Sequence, residues 1–117
     1  MSEVLDEIRR LEDRANALLN LGADVASNRA DEEGAKAEYK SLKDGLASRL
    51  KEVERRPPLG AEDWVIATFK AALRAAHIGM RASTNTSPRS SSWRSSVHEL
   101  ADELSYYAAT LAKGLGG

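Results

Sequence analysis

Apolar residues in the first half of the chain recur at alternating intervals of four and three positions. The repeat runs from residue 3 to 26 and resumes from residue 32 to 56. This spacing is typical of an α-helix with one apolar stripe, and its heptad register favours lengthwise packing on another helix. We therefore predict a seam for self-association, formed by Val4, Ile8, Leu11, Leu18, Val25, Tyr39, Leu46 and Val53.

The polar stretch 27–34 interrupts this stripe and leaves two interpretations open. It is either the turn of a helical hairpin, with Asp31 capping the second helix, or a solvated part of one helix from residue 3 to 56. The unbroken heptad register favours the continuous helix, whereas compactness favours the hairpin. A continuous helix would expose about half of its stripe and would need a partner to cover it.

Two further helices are predicted in the second half of the chain, over residues 61–82 and 96–113. Pro57-Pro58 must end the preceding helix, because proline lacks the N–H group and clashes with the previous turn. Ser96 and Glu99 have the spacing of a capping box at the start of the last helix. We predict one all-α domain, a helical bundle or coiled-coil-based assembly, with residues 83–95 as a Ser/Thr/Arg-rich loop.

The composition excludes several classes of protein. The chain has no cysteine, which excludes disulfides and thiolate metal sites. No apolar run reaches the roughly 20 residues that cross a membrane, and the N-terminus lacks the apolar core of a signal peptide. We expect a cytoplasmic protein that has no membrane partner and needs no cofactor or metal.

A basic segment is the main candidate for a ligand-binding site. Residues 64–98 contain five Lys/Arg and no Asp/Glu. Arginine binds phosphate through paired N–H groups, and an exposed tryptophan can stack on a base. We therefore predict an anion-binding surface made of Lys70, Arg74, His77, Arg81, Arg89, Trp93 and Arg94. In the competing interpretation, the segment packs against the acidic first half and Trp93 enters the core.

The stretch HELADELSYYAATLAKGLG, residues 98–116, resembles a helix of the all-helical MazG-like nucleotide pyrophosphatases. Glu99 and Asp102 match the E-x-x-D pair of that family. The family also has an E-E-x-x-E set on the preceding helix, which completes a carboxylate cage for Mg²⁺. Here the stretch FKAALRAAHIGMRAS of that helix carries no acid, and Glu32-Glu33 is followed by Lys36 in place of the third glutamate. The resemblance implies Mg²⁺-dependent nucleotide hydrolysis.

Together these patterns favour a non-enzymatic interaction protein that presents helical surfaces. Its expected partners are further copies of itself, another protein, or both. The alternative is a protein that binds nucleic acid or a phosphorylated ligand through the basic surface of residues 70–96. The MazG-like activity is a third hypothesis.

Overall fold

The computed structural model describes residues 2–116, and in that range the chain is an all-α bundle of four helices. The helices are α1 (Glu3–Ala26), α2 (Glu32–Arg55), α3 (Asp63–Gly79) and α4 (Ser91–Gly116). Buried residues from all four helices form one connected hydrophobic core. The predicted helical bundle is confirmed. None of these helices combines the length and apolar character needed to span a membrane.

The polar stretch between α1 and α2 is a tight turn, so the hairpin interpretation is correct and the continuous helix is wrong. Asn28 adopts a φ of 60°, a left-handed conformation that asparagine tolerates better than most residues. The Asp31 carboxylate accepts a hydrogen bond from the Gly34 N–H at 3.3 Å and caps α2. Ser2 caps α1 in the same way, by accepting from the Leu5 N–H at 3.2 Å.

The predicted seam faces the interior of the chain's own bundle. Seven of its residues are at most 5 % exposed, namely Val4, Ile8, Leu18, Val25, Tyr39, Leu46 and Val53, and Leu11 packs against them half-buried. This corrects the assignment of the seam to an oligomer surface. Because the chain folds back at residues 27–31, α1 and α2 cover their stripes against the other helices. Each fully buried side chain of this kind stabilises the fold by about 1.5–3 kcal/mol.

The structure also corrects the bounds of the last two helices. Helix α3 begins two residues later than predicted and ends at Gly79, whereas α4 begins five residues earlier, at Ser91. The predicted capping box is therefore wrong, and the Ser90 hydroxyl accepts from the Trp93 N–H at 3.2 Å in its place. Burial of Trp93 in the core outweighs the low helix propensity of the surrounding serines.

A buried hydrogen-bond cluster around Ala82 joins α2 to the start of the α3–α4 connection. The Ala82 carbonyl accepts from the Tyr39 hydroxyl at 2.8 Å and from the Lys43 ammonium at 3.2 Å. The Ala82 N–H donates to the Ser96 hydroxyl on α4 at 2.8 Å. Both backbone groups of Ala82 are thus satisfied by side chains, as buried polar groups require. Burial raises the pKa of Tyr39, and hydrogen bonding with Ser96 partly offsets this effect.

The raised pKa of Tyr39 predicts a loss of stability at alkaline pH. The unfolded chain releases the tyrosine proton near pH 10, before the folded chain does, so the free energy of unfolding falls as pH rises through that value. Tyr39→Phe should lower stability by about 1 kcal/mol at pH 8. It should also flatten the decline between pH 9 and 11, measured by urea denaturation. Tyr106→Phe, at an exposed position, is the control; an unchanged decline in Tyr39→Phe would contradict the assignment.

Candidate interaction surfaces

The Trp93 side chain lies in the core and cannot stack on a base. It is 1 % exposed, and its ring centroid lies 5.8 Å from that of Tyr39 in a tilted arrangement. The indole also rests directly on Gly22 of α1. A Cβ atom at Gly22 would lie 2.9 Å from Trp93 Cη2 and closer still to Cζ3. The predicted ligand-binding role of Trp93 is therefore corrected to a structural role.

Two of the predicted anion-binding arginines are paired with acids of the same chain. Arg81 Nη2 lies 3.0 Å from a carboxylate oxygen of Glu99. Arg89 Nη2 donates to the Asn28 side chain at 2.7 Å, and its Nε lies 3.4 Å from Glu32. Arg89 thereby ties the α3–α4 connection to the α1–α2 turn. For Arg81 and Arg89 the competing interpretation therefore holds, because both pack against acidic residues of the same chain.

The remaining basic residues of α3 lie on the flank that faces α2. Successive helix positions turn by about 100°, so Lys70, Arg74 and His77 lie on one side of the buried face of α3. The other side faces α4, because Gly79 lies against Glu99 there. The side towards α2 is marked by Arg49, whose guanidinium lies 5.5 Å from the ring centroid of Phe69.

Lys43 of α2 joins these residues and was missed by the sequence analysis. Its ammonium reaches the Ala82 carbonyl just beyond the end of α3. We call Lys43, Lys70, Arg74 and His77 the cationic face. In residues 2–116, the three permanently charged members have no carboxylate within 4.0 Å. The spacing of Lys36, Lys40 and Lys43 marks one basic side of α2, but only the fold shows that it borders α3.

The opposite flank of α3 forms a largely apolar surface with α4, on which Glu103 lies one turn before Tyr106 and Tyr107. The two helices run antiparallel, since Gly79 lies against Glu99 and the Trp64 ring lies on Gly114. On α3 this flank carries small residues between two large hydrophobic ones. We call it the α3–α4 face, and its residues are Trp64, Ala67, Thr68, Ala71, Ala75 and Ile78 from α3 and Tyr106, Tyr107 and Thr110 from α4.

Several large side chains of this face are unusually exposed. Tyr106 is 63 % exposed, Ile78 59 % and Trp64 37 %, and they are three of the five exposed large hydrophobic residues in the described part of the chain. Tyr106 and Tyr107 are in edge-to-face contact, with ring centroids 5.1 Å apart. Contiguous exposed apolar surface of this kind marks interaction sites in soluble proteins.

The carboxylates behind the MazG-like resemblance do not form a cluster. Glu99 and Asp102 lie one turn apart on α4, and Glu99 is held by Arg81. Glu32 accepts from the Ser87 hydroxyl at 2.9 Å and lies 3.9 Å from Lys36. Between residues 2 and 116, no group of three or more His, Cys, Asp or Glu side chains is placed to hold a metal ion. The Mg²⁺ cage implied by the resemblance is not assembled by these residues.

Comparisons with protein-family models, with curated proteins and with solved structures found no match. The function must therefore be argued from the two surfaces described above.

The contact between Trp93 and Gly22 predicts opposite effects of two glycine-to-alanine substitutions. Gly22→Ala should lower the free energy of unfolding by about 1–3 kcal/mol, because the new methyl group overlaps the buried indole. Gly45→Ala, in the middle of α2 with nothing within 4 Å of a new Cβ, should raise it by about 0.5–1 kcal/mol. Chemical denaturation followed by circular dichroism measures both. Equal effects of the same sign would refute the close packing.

Proposed function

We propose that the protein is a non-enzymatic helical interaction protein that works as a homo-oligomer assembled through the α3–α4 face. The observation that supports this proposal is the exposure of Trp64, Ile78 and Tyr106 on a face whose α3 residues carry no charge. The predicted seam cannot serve this purpose, since its residues already form the core of the single chain.

The shape of the α3–α4 face suits a second pair of helices. Its central α3 residues, Thr68, Ala71 and Ala75, are small and half-buried, so another helix can approach closely. Trp64 and Ile78 lie near the two ends of α3, roughly 20 Å apart at 1.5 Å per residue. They frame the small residues and provide the large apolar side chains that dominate binding energy at interfaces.

A second copy of the chain is the occupant that this face fits best. Most soluble homo-oligomers are closed and symmetric, and a twofold interface uses the same patch on both copies. The α3 residues of this face carry no charge, so two copies can meet through α3 without bringing like charges together. Two α3–α4 pairs packed face to face would form a further four-helix layer between the two cores. Fully buried centres of homodimer interfaces are similarly poor in charge.

The proposal predicts that charge on this face prevents assembly. Native protein should have about twice the mass of one chain at tens of micromolar. Ile78→Glu combined with Tyr106→Glu should restore the mass of a single chain without loss of helicity, because both side chains are exposed in the single chain. Sedimentation equilibrium over a range of concentrations measures the mass.

The matched control changes two exposed leucines that lie together beyond the Trp64 end of the α3–α4 face. Leu59→Glu combined with Leu115→Glu adds the same charge outside the α3–α4 face, where the two side chains are 101 % and 43 % exposed. This variant should assemble like the native protein. A native protein that is monomeric at 100 µM or more, or a face variant that still dimerises, would reject the proposal.

A further inference from the structure

We infer that the cationic face, formed by Lys43, Lys70, Arg74 and His77, binds the phosphate backbone of double-stranded nucleic acid. This function is distinct from self-assembly, because Lys43, Lys70 and His77 lie on the α2 side of α3, whereas the α3–α4 face lies towards α4. Arg74 borders both faces, one turn from Ile78. Either proposal can therefore fail while the other holds.

The cations of the cationic face form no ion pair within the described residues. Residues 64–98 contain no acid, and the acids that form ion pairs with this segment, Glu32 and Glu99, bind Arg89 and Arg81. Lys40 and Lys36 on the neighbouring turns of α2 are paired with Asp44 and with Glu32 and Glu33. Lys43 is fixed by a carbonyl oxygen, which positions its ammonium and leaves its charge intact.

The spacing of the cations suits the phosphate backbone of a nucleic acid better than one small anion. Lys70, Arg74 and His77 span seven residues, about 10 Å along α3. Lys43 lies across the groove on α2, and packed helix axes are about 8–10 Å apart. A duplex carries one negative charge per about 1.7 Å of its axis, so several phosphates fall within this footprint. Contacts of this kind position a duplex without reading its sequence.

The surroundings of the cationic face favour a duplex over the other polyanions. A protein partner would require several large apolar anchors, but of the exposed ones in the described residues only Ile78 borders the cationic face, and the others are Leu59, Trp64, Tyr106 and Leu115. A single strand would require exposed aromatic rings on which its bases can stack. The aromatic residues nearest in sequence to the cationic residues of α2 and α3, Tyr39 and Phe69, are both buried. Polar, positively charged surfaces without such anchors are typical of backbone binding.

The test compares two variants that lose the same charge. The first is Lys43→Gln, Lys70→Gln and Arg74→Gln; the control is Arg9→Gln, Arg10→Gln and Lys113→Gln, on α1 and at the end of α4. Binding to 20-base-pair DNA and RNA duplexes is measured by fluorescence anisotropy between about 20 and 200 mM salt. A slope of log affinity against log salt near −2 to −3 is expected, about 0.9 for each cation. The first variant should lose at least about tenfold in affinity and flatten the slope, whereas the control should retain both.

Further binding measurements distinguish duplex nucleic acid from single strands and from acidic peptides. A single strand of the same length and a polyglutamate peptide should bind more weakly than either duplex. Arg74→Glu alone, at an exposed position, should also weaken duplex binding, and it serves as the second variant if the triple variant loses helicity. Absence of duplex binding at 20 mM salt, equal losses in both triple variants, or tighter binding of the single strand or the peptide would overturn the inference.

Discussion

The contact between the Trp93 indole and the bare backbone of Gly22 determines how the four helices come together. It brings the first turn of α4 against α1 and places the same ring beside Tyr39 of α2. With α4 fixed at this depth, Ser96 reaches the Ala82 N–H while Tyr39 reaches the Ala82 carbonyl. The α3–α4 connection is then held at both ends. Ala82 fixes its start, and near its end Arg89 donates to Asn28 of the α1–α2 turn. A side chain at Gly22 would disturb all of these contacts at once.

Periodicity predicted the helical stretches of α1 and α2, because their stripes repeat over many turns and end at Pro57-Pro58, but it left open whether a turn separates them. It could not show what covers the stripes. A heptad register is the same whether the partner is the next helix of the chain or another copy. The start of α4 was missed for a different reason. The low helix propensity of a run of serines predicts a loop. The burial of Trp93 is a tertiary effect, and it extends the helix by five residues.

The two candidate surfaces could be predicted only in part. The acid-free segment from 64 to 98 drew attention to Lys70, Arg74 and His77, but the pairing of Arg89 with Glu32 and of Arg81 with Glu99 depends on chain reversals that spacing does not reveal. Lys43 lies on a different helix and joins the cationic face only through the α2–α3 packing. The three-four spacing of Phe69, Leu73, Ala76 and Met80 indicates the buried side of α3, but it does not show that Ile78 and Trp64, outside this stripe, stay exposed.

The two tryptophans of this chain occupy opposite environments, and that makes each one an optical reporter of a different event. Trp93 is fully enclosed, and its indole N–H has no hydrogen-bond partner, so its emission should be blue-shifted until the core opens. Trp64 is partly exposed on the α3–α4 face and donates to Glu62 at 2.7 Å, so its emission responds to whatever covers that surface. Trp64→Phe would leave the fluorescence of Trp93, which follows folding. Trp93→Phe would leave the fluorescence of Trp64, which follows contacts at the surface. The chain thus contains its own probes for separating its stability from its associations, without any added label.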